Sequence, residues 1–208
     1  MKLQVIRKLP RDVFVACSGG VDSVALALFL KSVKKNVTLV HYNHPDDPLS
    51  KQEEEFVCDF AAEFGFRGVI SSSEANIDST GKSREVWWRE NRVEFFKSLG
   101  NLVLTGHTLD DAVEWFLLTS FKGQGQYMKY DSDFSLKPFI TQKKTNIIEW
   151  MKQNYPGVEW IDDPTNSDPE FNDRNYVRLN IVPHVLKVNP GFYRTIKNRI
   201  VEKTRQTK

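Results

Sequence analysis

Between two apolar runs lies Ser18-Gly19-Gly20-Val21-Asp22-Ser23, a segment suited to holding an anion. Its glycines let the main chain approach oxygen atoms closely, and the hydroxyls of Ser18 and Ser23 add donors. It leaves a predicted strand, Asp12–Cys17, and opens a predicted helix, Asp22–Val33. Backbone N–H groups and a helix dipole at such a turn both favour phosphate. No Walker-type loop with its lysine occurs, which argues against ordinary γ-phosphate hydrolysis. A second cluster is His107-Thr108-Leu109-Asp110-Asp111-Ala112-Val113-Glu114. Glu114 lies four residues after Asp110 and three after Asp111, so a helix brings it beside either carboxylate. Carboxylates so grouped suit Mg²⁺, or an amine that must lose a proton before attacking. An acidic helix start also complements the dipole unaided, so the phosphate loop is what gives the cluster a chemical reading.

The elements that must position these residues alternate between β-branched runs and helical periodicity, the signature of a parallel α/β sheet. A second strand, Val37–Tyr42, ends in His41-Tyr42-Asn43-His44. A helix over Lys51–Phe64 and a third strand over Gly68–Ser71 follow, then a polar stretch, Ser72–Ser83, that reads as a mobile loop. Glu85–Leu99 reads as a helix and Leu102–Thr105 as the fourth strand, feeding the carboxylate cluster and a helix through Ser120. Leu136–Ile140 is expected as a fifth strand and Thr141–Asn154 as a helix. A polar turn region, 162–169, precedes a basic helical end from about Asn175. In an extended segment His41 and His44 point to opposite faces, so they do not form a metal pair. His44 suits an adenosine pocket and His41 a structural role.

Charge is unevenly spread. The 208 residues carry a net charge of only +2. Yet 45–63 holds seven carboxylates against Lys51, and 174–208 holds nine Lys and Arg against Glu202. Such a basic end is an electrostatic footprint for phosphate-rich partners, and salt-sensitive RNA binding is expected of it. Cys17 and Cys58 stand forty-one positions apart, which excludes a disulfide framework or a zinc spacing. The longest apolar run, Val24 to Leu30, is too short to span a bilayer, so no membrane partner is expected and the reading is cytoplasmic.

The loop resembles the PP-loop of the ATP pyrophosphatases, which cleave ATP between the α and β phosphates. That resemblance implies a Rossmann-like parallel sheet of order 3-2-1-4-5 flanked by helices. It puts both motifs at the carboxyl ends of strands beside a topological switch point. Further features narrow the likeness: Asn43-His44, Arg89 and Arg92 ahead of Phe95-Phe96, the His107 to Glu114 cluster, and Lys122-Gly123-Gln124-Gly125. Lys137-Pro138-Phe139, Trp160 to Asn166, Arg174-Asn175-Tyr176-Val177-Arg178 and Ile181-Val182-Pro183 continue it. In their order these resemble the tRNA(Ile)-lysidine synthetases. The chain departs from them in Lys137 for an arginine, Trp115 for a threonine, and Pro45-Asp46-Asp47-Pro48 for Gly-Leu-Arg.

The resemblance implies a carbon–nitrogen ligase. It would adenylate the wobble cytidine of tRNA(Ile) with a CAU anticodon and attach L-lysine to form lysidine, releasing AMP and pyrophosphate. ATP and Mg²⁺ are the expected cofactors. Ser18, Gly19, Gly20, Asp22 and Ser23, with Asn43, His44 and His107, are expected at ATP. Asp22, Asp110, Asp111 and Glu114 are the expected catalytic residues, with Asp110 and Asp111 on the metal. Arg89, Arg92, Lys137, Arg174 and Arg178 are expected on tRNA or phosphate. A single PP-loop domain over 1–208 is expected, with a basic helical segment over 174–208 and no separate C-terminal tRNA-binding domains. The alternatives are a catalytically impaired nucleotide- or tRNA-binding protein, or a PP-loop enzyme adenylating another substrate, such as a tRNA thiolase or an amide-forming ligase.

Overall fold

A computed structural model describes residues 3–44, 47, 49–72 and 77–206. Five strands, β1 (Asp12–Ala16), β2 (Asn36–Tyr42), β3 (Val69–Ser72), β4 (Val103–Leu104) and β5 (Ser135–Leu136), form one sheet in the order β3-β2-β1-β4-β5. Every neighbouring pair is parallel: Val15 stands opposite Leu39 on one side and Leu104 on the other. The expected sheet order is therefore the observed one. Helices α1 (Val21–Ser32), α2 (Ser50–Glu63) and α3 (Arg84–Ser98) connect the first four strands, and a fourth helix connects β4 to β5. The remaining elements are α4 (Leu109–Phe121), α5 (Lys144–Asn154), a 3-10 turn (Pro164–Ser167), α6 (Asp173–Tyr176), a π-helical turn (Val177–Ile181), α7 (Val182–Val188) and α8 (Phe192–Gln206).

The chain divides into two compact units. One comprises Leu9–Gly106 and Asp131–Leu136 and holds the sheet; the other comprises Met1–Lys8, His107–Tyr130 and Lys137–Lys208 and holds α4 to α8. In the sheet unit, α1 is buried from Ser23 to Leu30, as its nearly unbroken apolar sequence requires. Phe96 of α3 packs with Val40 and Val103, and Phe14, Phe95, Leu99 and Phe134 close around them. Ser83 caps α3 by accepting the Val86 N–H. Residues 73–76 of the polar stretch before it lie outside the described residues, as do Pro45, Asp46 and Pro48 of the segment that departs from the lysidine synthetases.

In the helical unit, α8 buries Ile196, Ile200 and Thr204 while its charged positions stay outside. Arg7 bonds the Thr204 carbonyl at 2.5 Å, and the Gln142 side chain donates to the Gln4 carbonyl at 2.7 Å. The basic end is thus a docked amphipathic helix. Cutting the chain there would remove core as well as charge.

Two boundaries differ from expectation for a physical reason. Only Ser135–Leu136 is extended, because Phe139 and Ile140, though fully buried, sit in a turn that leads to α5. A short apolar run does not by itself distinguish strand from buried turn. The basic end is not one helix from Asn175: a π-helical turn at Val177–Ile181 interrupts it just before Pro183, which cannot donate to the preceding ladder. Replacing Ile200, 1% exposed, with alanine should cost about 2–5 kcal/mol. Urea unfolding reads this directly, and an unchanged midpoint would mean α8 contributes nothing to the fold.

Candidate functional site

The phosphate-loop segment is built as its sequence suggests. Gly19 takes φ +82°, a conformation that side chains resist, and Gly20 stands extended at the start of α1 with no side chain capping it. The Ser23 hydroxyl donates to the Gly20 carbonyl at 2.8 Å and accepts from the Ser18 N–H at 3.3 Å. Asp22 lies in the first turn of α1. Behind the loop, burial pushes the Cys17 thiol up to about 11, so it stays protonated near neutral pH and is no nucleophile.

Gly106, just after β4, presses on this loop. A Cβ there would lie 2.9 Å from the carbonyl carbon and oxygen of Asp22 and 3.0 Å from the Ser23 nitrogen, all backbone atoms. The chain emerging from β4 can pass the mouth of β1 only without a side chain.

At the end of β2, His41 is buried, with Nδ1 2.8 Å from the Cys17 carbonyl oxygen and Nε2 2.8 Å from Asn43 Oδ1. It is structural, as expected. His44 turns the other way into an aromatic stack. Its ring centroid is 4.9 Å from that of Trp88 and 5.4 Å from that of Tyr42, and Arg84 lies 4.7 Å over Trp88. Burial, then the charge of Arg92, holds His44 down to about 4, so the ring is neutral at physiological pH. Its Nδ1 is buried with no hydrogen-bond partner among the described residues. Arg92 is half-buried on α3, whereas Arg89 is exposed.

In the helical unit, Thr108 and Asp111 close a reciprocal capping box on α4. One Asp111 oxygen accepts from the Thr108 N–H and hydroxyl; the other accepts from Arg174 Nη2. Arg174 Nε donates to Glu114 at 2.6 Å. The Glu114 side chain is 4% exposed and that of Asp111 18%, while Arg174 remains half exposed. Burial raises the pKa of Glu114 despite the guanidinium. For Asp111 burial is opposed and outweighed by Arg174, His107 and the Thr108 donors, so its pKa falls. Asp110 faces elsewhere, accepting from the Tyr193 hydroxyl at 3.0 Å and the Lys144 N–H at 2.7 Å. Asp110 therefore parts from the other two carboxylates, and among the described residues no group of three or more His, Cys, Asp or Glu is arranged to hold a metal.

Arg174 and Arg178, four apart, also diverge. Arg178 donates to the Asn166 carbonyl at 2.8 Å and to Asn175 Oδ1 at 2.6 Å. Buried Asn175 in turn donates to the carbonyls of Thr165 and Asp168, so this pair clasps the turn at 165–168. Lys137 is half-buried, its N–H bonded to the Tyr130 carbonyl. The sheet unit thus gathers the loop, Asn43, His44, Arg89 and Arg92; the helical unit carries His107, the carboxylates, Lys137, Arg174 and Arg178.

A family model described as the PP-loop domain matches residues 2–185. The chain belongs to the PP-loop family. Membership in this family implies use of ATP. Among curated relatives, the tRNA(Ile)-lysidine synthase of Thermus thermophilus is 32% identical over 203 residues, covering 93% of this chain and 39% of the relative. That of Persephonella marina is 31% identical over 198 residues, covering 86% and 42%. The chain spans less than half the length of these relatives. Of solved structures, the U34-tRNA thiolase of Methanococcus maripaludis superposes with a TM-score of 0.69 at 16% identity, over 95% of this chain and 74% of that one. The ammonia-dependent NAD synthetase of Campylobacter jejuni gives 0.52 at 17%, over 97% and 88%. Both likenesses concern the PP-loop fold alone. No helix among the described residues is long and apolar enough to cross a membrane.

Two residues, one in each unit, are not marked as site residues by any local spacing rule. Gly106 was visible as a glycine after a strand, but its closeness to Asp22 is a tertiary fact. Tyr193, on Asp110, lies 83 residues away in sequence, beyond any local spacing rule. Gly106→Ala should weaken ATP binding at least about tenfold and cost about 1–3 kcal/mol, the usual range for overpacking. Calorimetric titration beside denaturant unfolding checks this; wild-type values in both would mean the strand exits part freely. His44 supplies a pH test. Its folded pKa is depressed from 6.5 to about 4, so the unfolded chain binds a proton that the folded chain refuses. The resulting stability is present above pH 6.5 and is lost as pH falls toward 4. His44→Gln should flatten the fall in unfolding midpoint over that window, and parallel wild-type and variant curves would refute it.

Proposed function

We propose that this PP-loop protein activates the wobble cytidine of tRNA(Ile) bearing a CAU anticodon and joins lysine to it, forming lysidine. The observation that carries this reading is the Asp111–Glu114 pair holding the Arg174 guanidinium. It is a mostly buried anionic seat already suited to a cationic nitrogen, as a lysine ammonium is. Similarity to the lysidine synthases over most of the chain supports the same substrate class.

In this reading Ser18, Gly19, Gly20, Asp22 and Ser23 hold the β and γ phosphates at the start of α1. The stack of Tyr42, His44 and Trp88, with Asn43 beside it, receives the adenosine. The cytidine carbonyl oxygen attacks the α phosphorus and pyrophosphate leaves. The lysine amine, deprotonated, then displaces AMP. Glu114, with its raised pKa, is the better proton acceptor of the two carboxylates, while Asp111 stays ionised. His107, through its charge on Asp111, tunes that seat. Positioning and charge neutralisation supply most of the rate, and no protein nucleophile is required.

Asp110 and Asp111 spend their oxygens on protein donors, so they do not fit a resident metal centre. Mg²⁺ is instead proposed to arrive on the triphosphate, as it does where one or two carboxylates meet substrate phosphates. Exposed Arg89, with Arg92, Lys137 and the outer face of α8, is assigned to RNA phosphate. A tRNA substrate would place the reaction in the cytoplasm.

The decisive assay incubates the protein with ATP, Mg²⁺, labelled lysine and unmodified tRNA(Ile), following AMP release and lysine incorporation together. ATP-dependent incorporation is expected. AMP without incorporation would move the reading to another acceptor, and neither signal from folded protein would favour a binding role. Asp111→Asn also breaks the α4 cap, so Glu114→Gln is the cleaner variant because it keeps an oxygen for Arg174. It should raise the KM for lysine about 10- to 100-fold, the scale of a lost charged hydrogen bond, and leave the KM for ATP unchanged. An unaltered lysine KM would remove Glu114 from the amine seat.

A further inference from the structure

We infer that His41 is a positioning residue for the PP-loop, setting the plane of the Cys17–Ser18 peptide and so aiming the loop's first amide at phosphate. The inference rests on the ATP-binding half of the proposed function and goes beyond it, since His41 touches no part of the loop except its root.

The Cys17 carbonyl lies where β1 ends and the loop begins. A carbonyl can only accept, so the His41 Nδ1, 2.8 Å away, carries the hydrogen. The peptide between Cys17 and Ser18 is trans, no cis bond occurring among the described residues, so its C=O and N–H point in opposite directions. Tying the carbonyl toward β2 therefore turns the Ser18 N–H into the loop. There it meets Ser23 Oγ at 3.3 Å, a long bond that a phosphate oxygen can replace. Without the tie, this peptide could rotate and carry the first donor of the loop away.

His41 is itself braced. The ring is 1% exposed, and its Nε2 rests 2.8 Å from Asn43 Oδ1. That oxygen also accepts from the Ser50 hydroxyl of α2, and the Asn43 N–H bonds the Ser72 carbonyl of β3 at 2.9 Å. Glu54 of α2 accepts from Ser71 at 2.6 Å, and bonds from Ser71 and then Asn43 hold its pKa low. The orientation of one peptide in the loop is thus referred to β2, α2 and β3, all in the sheet unit. The Cys17 carbonyl oxygen and Asn43 Oδ1 are both acceptors, so the ring satisfies the two contacts by donating from each nitrogen, which a residue filling space alone would not do.

Two substitutions separate the nitrogens. Asparagine places its Nδ2 as many bonds from the backbone as histidine Nδ1, and glutamine does the same for Nε2. His41→Asn therefore keeps the donor to Cys17, and His41→Gln loses it while keeping the link to Asn43. Titrations with ATP, inorganic pyrophosphate and AMP should show His41→Gln about three- to tenfold weaker for ATP and pyrophosphate, the scale of one hydrogen bond. His41→Asn should remain close to wild type, and AMP, which lacks the β and γ phosphates, should bind both variants alike. Equal losses in the two variants, equal retention, or a matching loss for AMP would overturn the assignment. Wild-type protein that binds neither ATP nor pyrophosphate would instead sink the reading on which it rests. Nitrogen-15 NMR of the wild type gives an answer that does not depend on either variant folding: Nδ1 should carry a proton, and a bare Nδ1 would overturn the proposal.

Discussion

The approach of Gly106 to the backbone of Asp22 and Ser23 is the constraint from which the phosphate loop follows. β1 lies between β2 and β4, so the chain leaving β1 and the chain leaving β4 emerge side by side. In parallel sheets this reversal of strand order opens a crevice at the carboxyl ends. Here the two exits come so near that one methyl group would collide with main-chain atoms at 2.9 Å. The loop cannot sag toward β4, and α1 starts there with no side chain capping it. Ser23, buried beneath, ties the turn to itself through Gly20 and Ser18. A rigid anion seat costs little reorganisation when phosphate arrives, which is why packing behind the loop matters as much as the residues in it.

The helical unit rests on a different interaction, a buried charge that must be matched. Glu114 at 4% exposure would be costly without a matching charge. Arg174 supplies the match from α6, sixty residues away, and spans Asp111 as well. That bond requires α6 at one rotation, which Asn175 and Arg178 secure by gripping the turn at 165–168. One face of this short helical stretch therefore holds the carboxylates while another holds the turn. The π-helical turn that follows makes room for Pro183.

Much of this was legible in the sequence because it is local. Ser-Gly-Gly after a β-branched run predicts the loop, and the helices α1, α2 and α3 lie within a residue or so of their periodic patterns. The opposite orientation of His41 and His44 follows from strand geometry. What local rules could not supply was pairing across long sequence separation. Spacing put Asp110 with Asp111 and Glu114, since all three share the start of α4. The structure gives Asp110 instead to Tyr193 and Lys144, because a capping box turns Asp111 the other way. Likewise Arg174 and Arg178 have the spacing of one helical face, but α6 gives way to a π-helical turn at Val177 and their partners differ. Charge count marks the basic end only as a helical segment for phosphate-rich partners; the burial of Ile196 and Ile200 at helical spacing makes it part of a core as well.

Arg174 links the energetics of the helical unit to its chemistry. Two carboxylates at neighbouring positions on α4 repel one another, which contributes to the raised pKa of Glu114. A guanidinium shared between them lowers that cost and holds both oxygens where a cation can be met. It is also half exposed, so one side of it remains in contact with water. Under the proposed function an arriving ammonium would compete for the carboxylates, and the displaced guanidinium would keep water as a partner. A lysine at this position would present a point charge and lose the fork that spans Asp111 and Glu114 together. The same geometry that stabilises this ion pair leaves Arg174 exchangeable, and the proposed lysine seat requires both conditions at once.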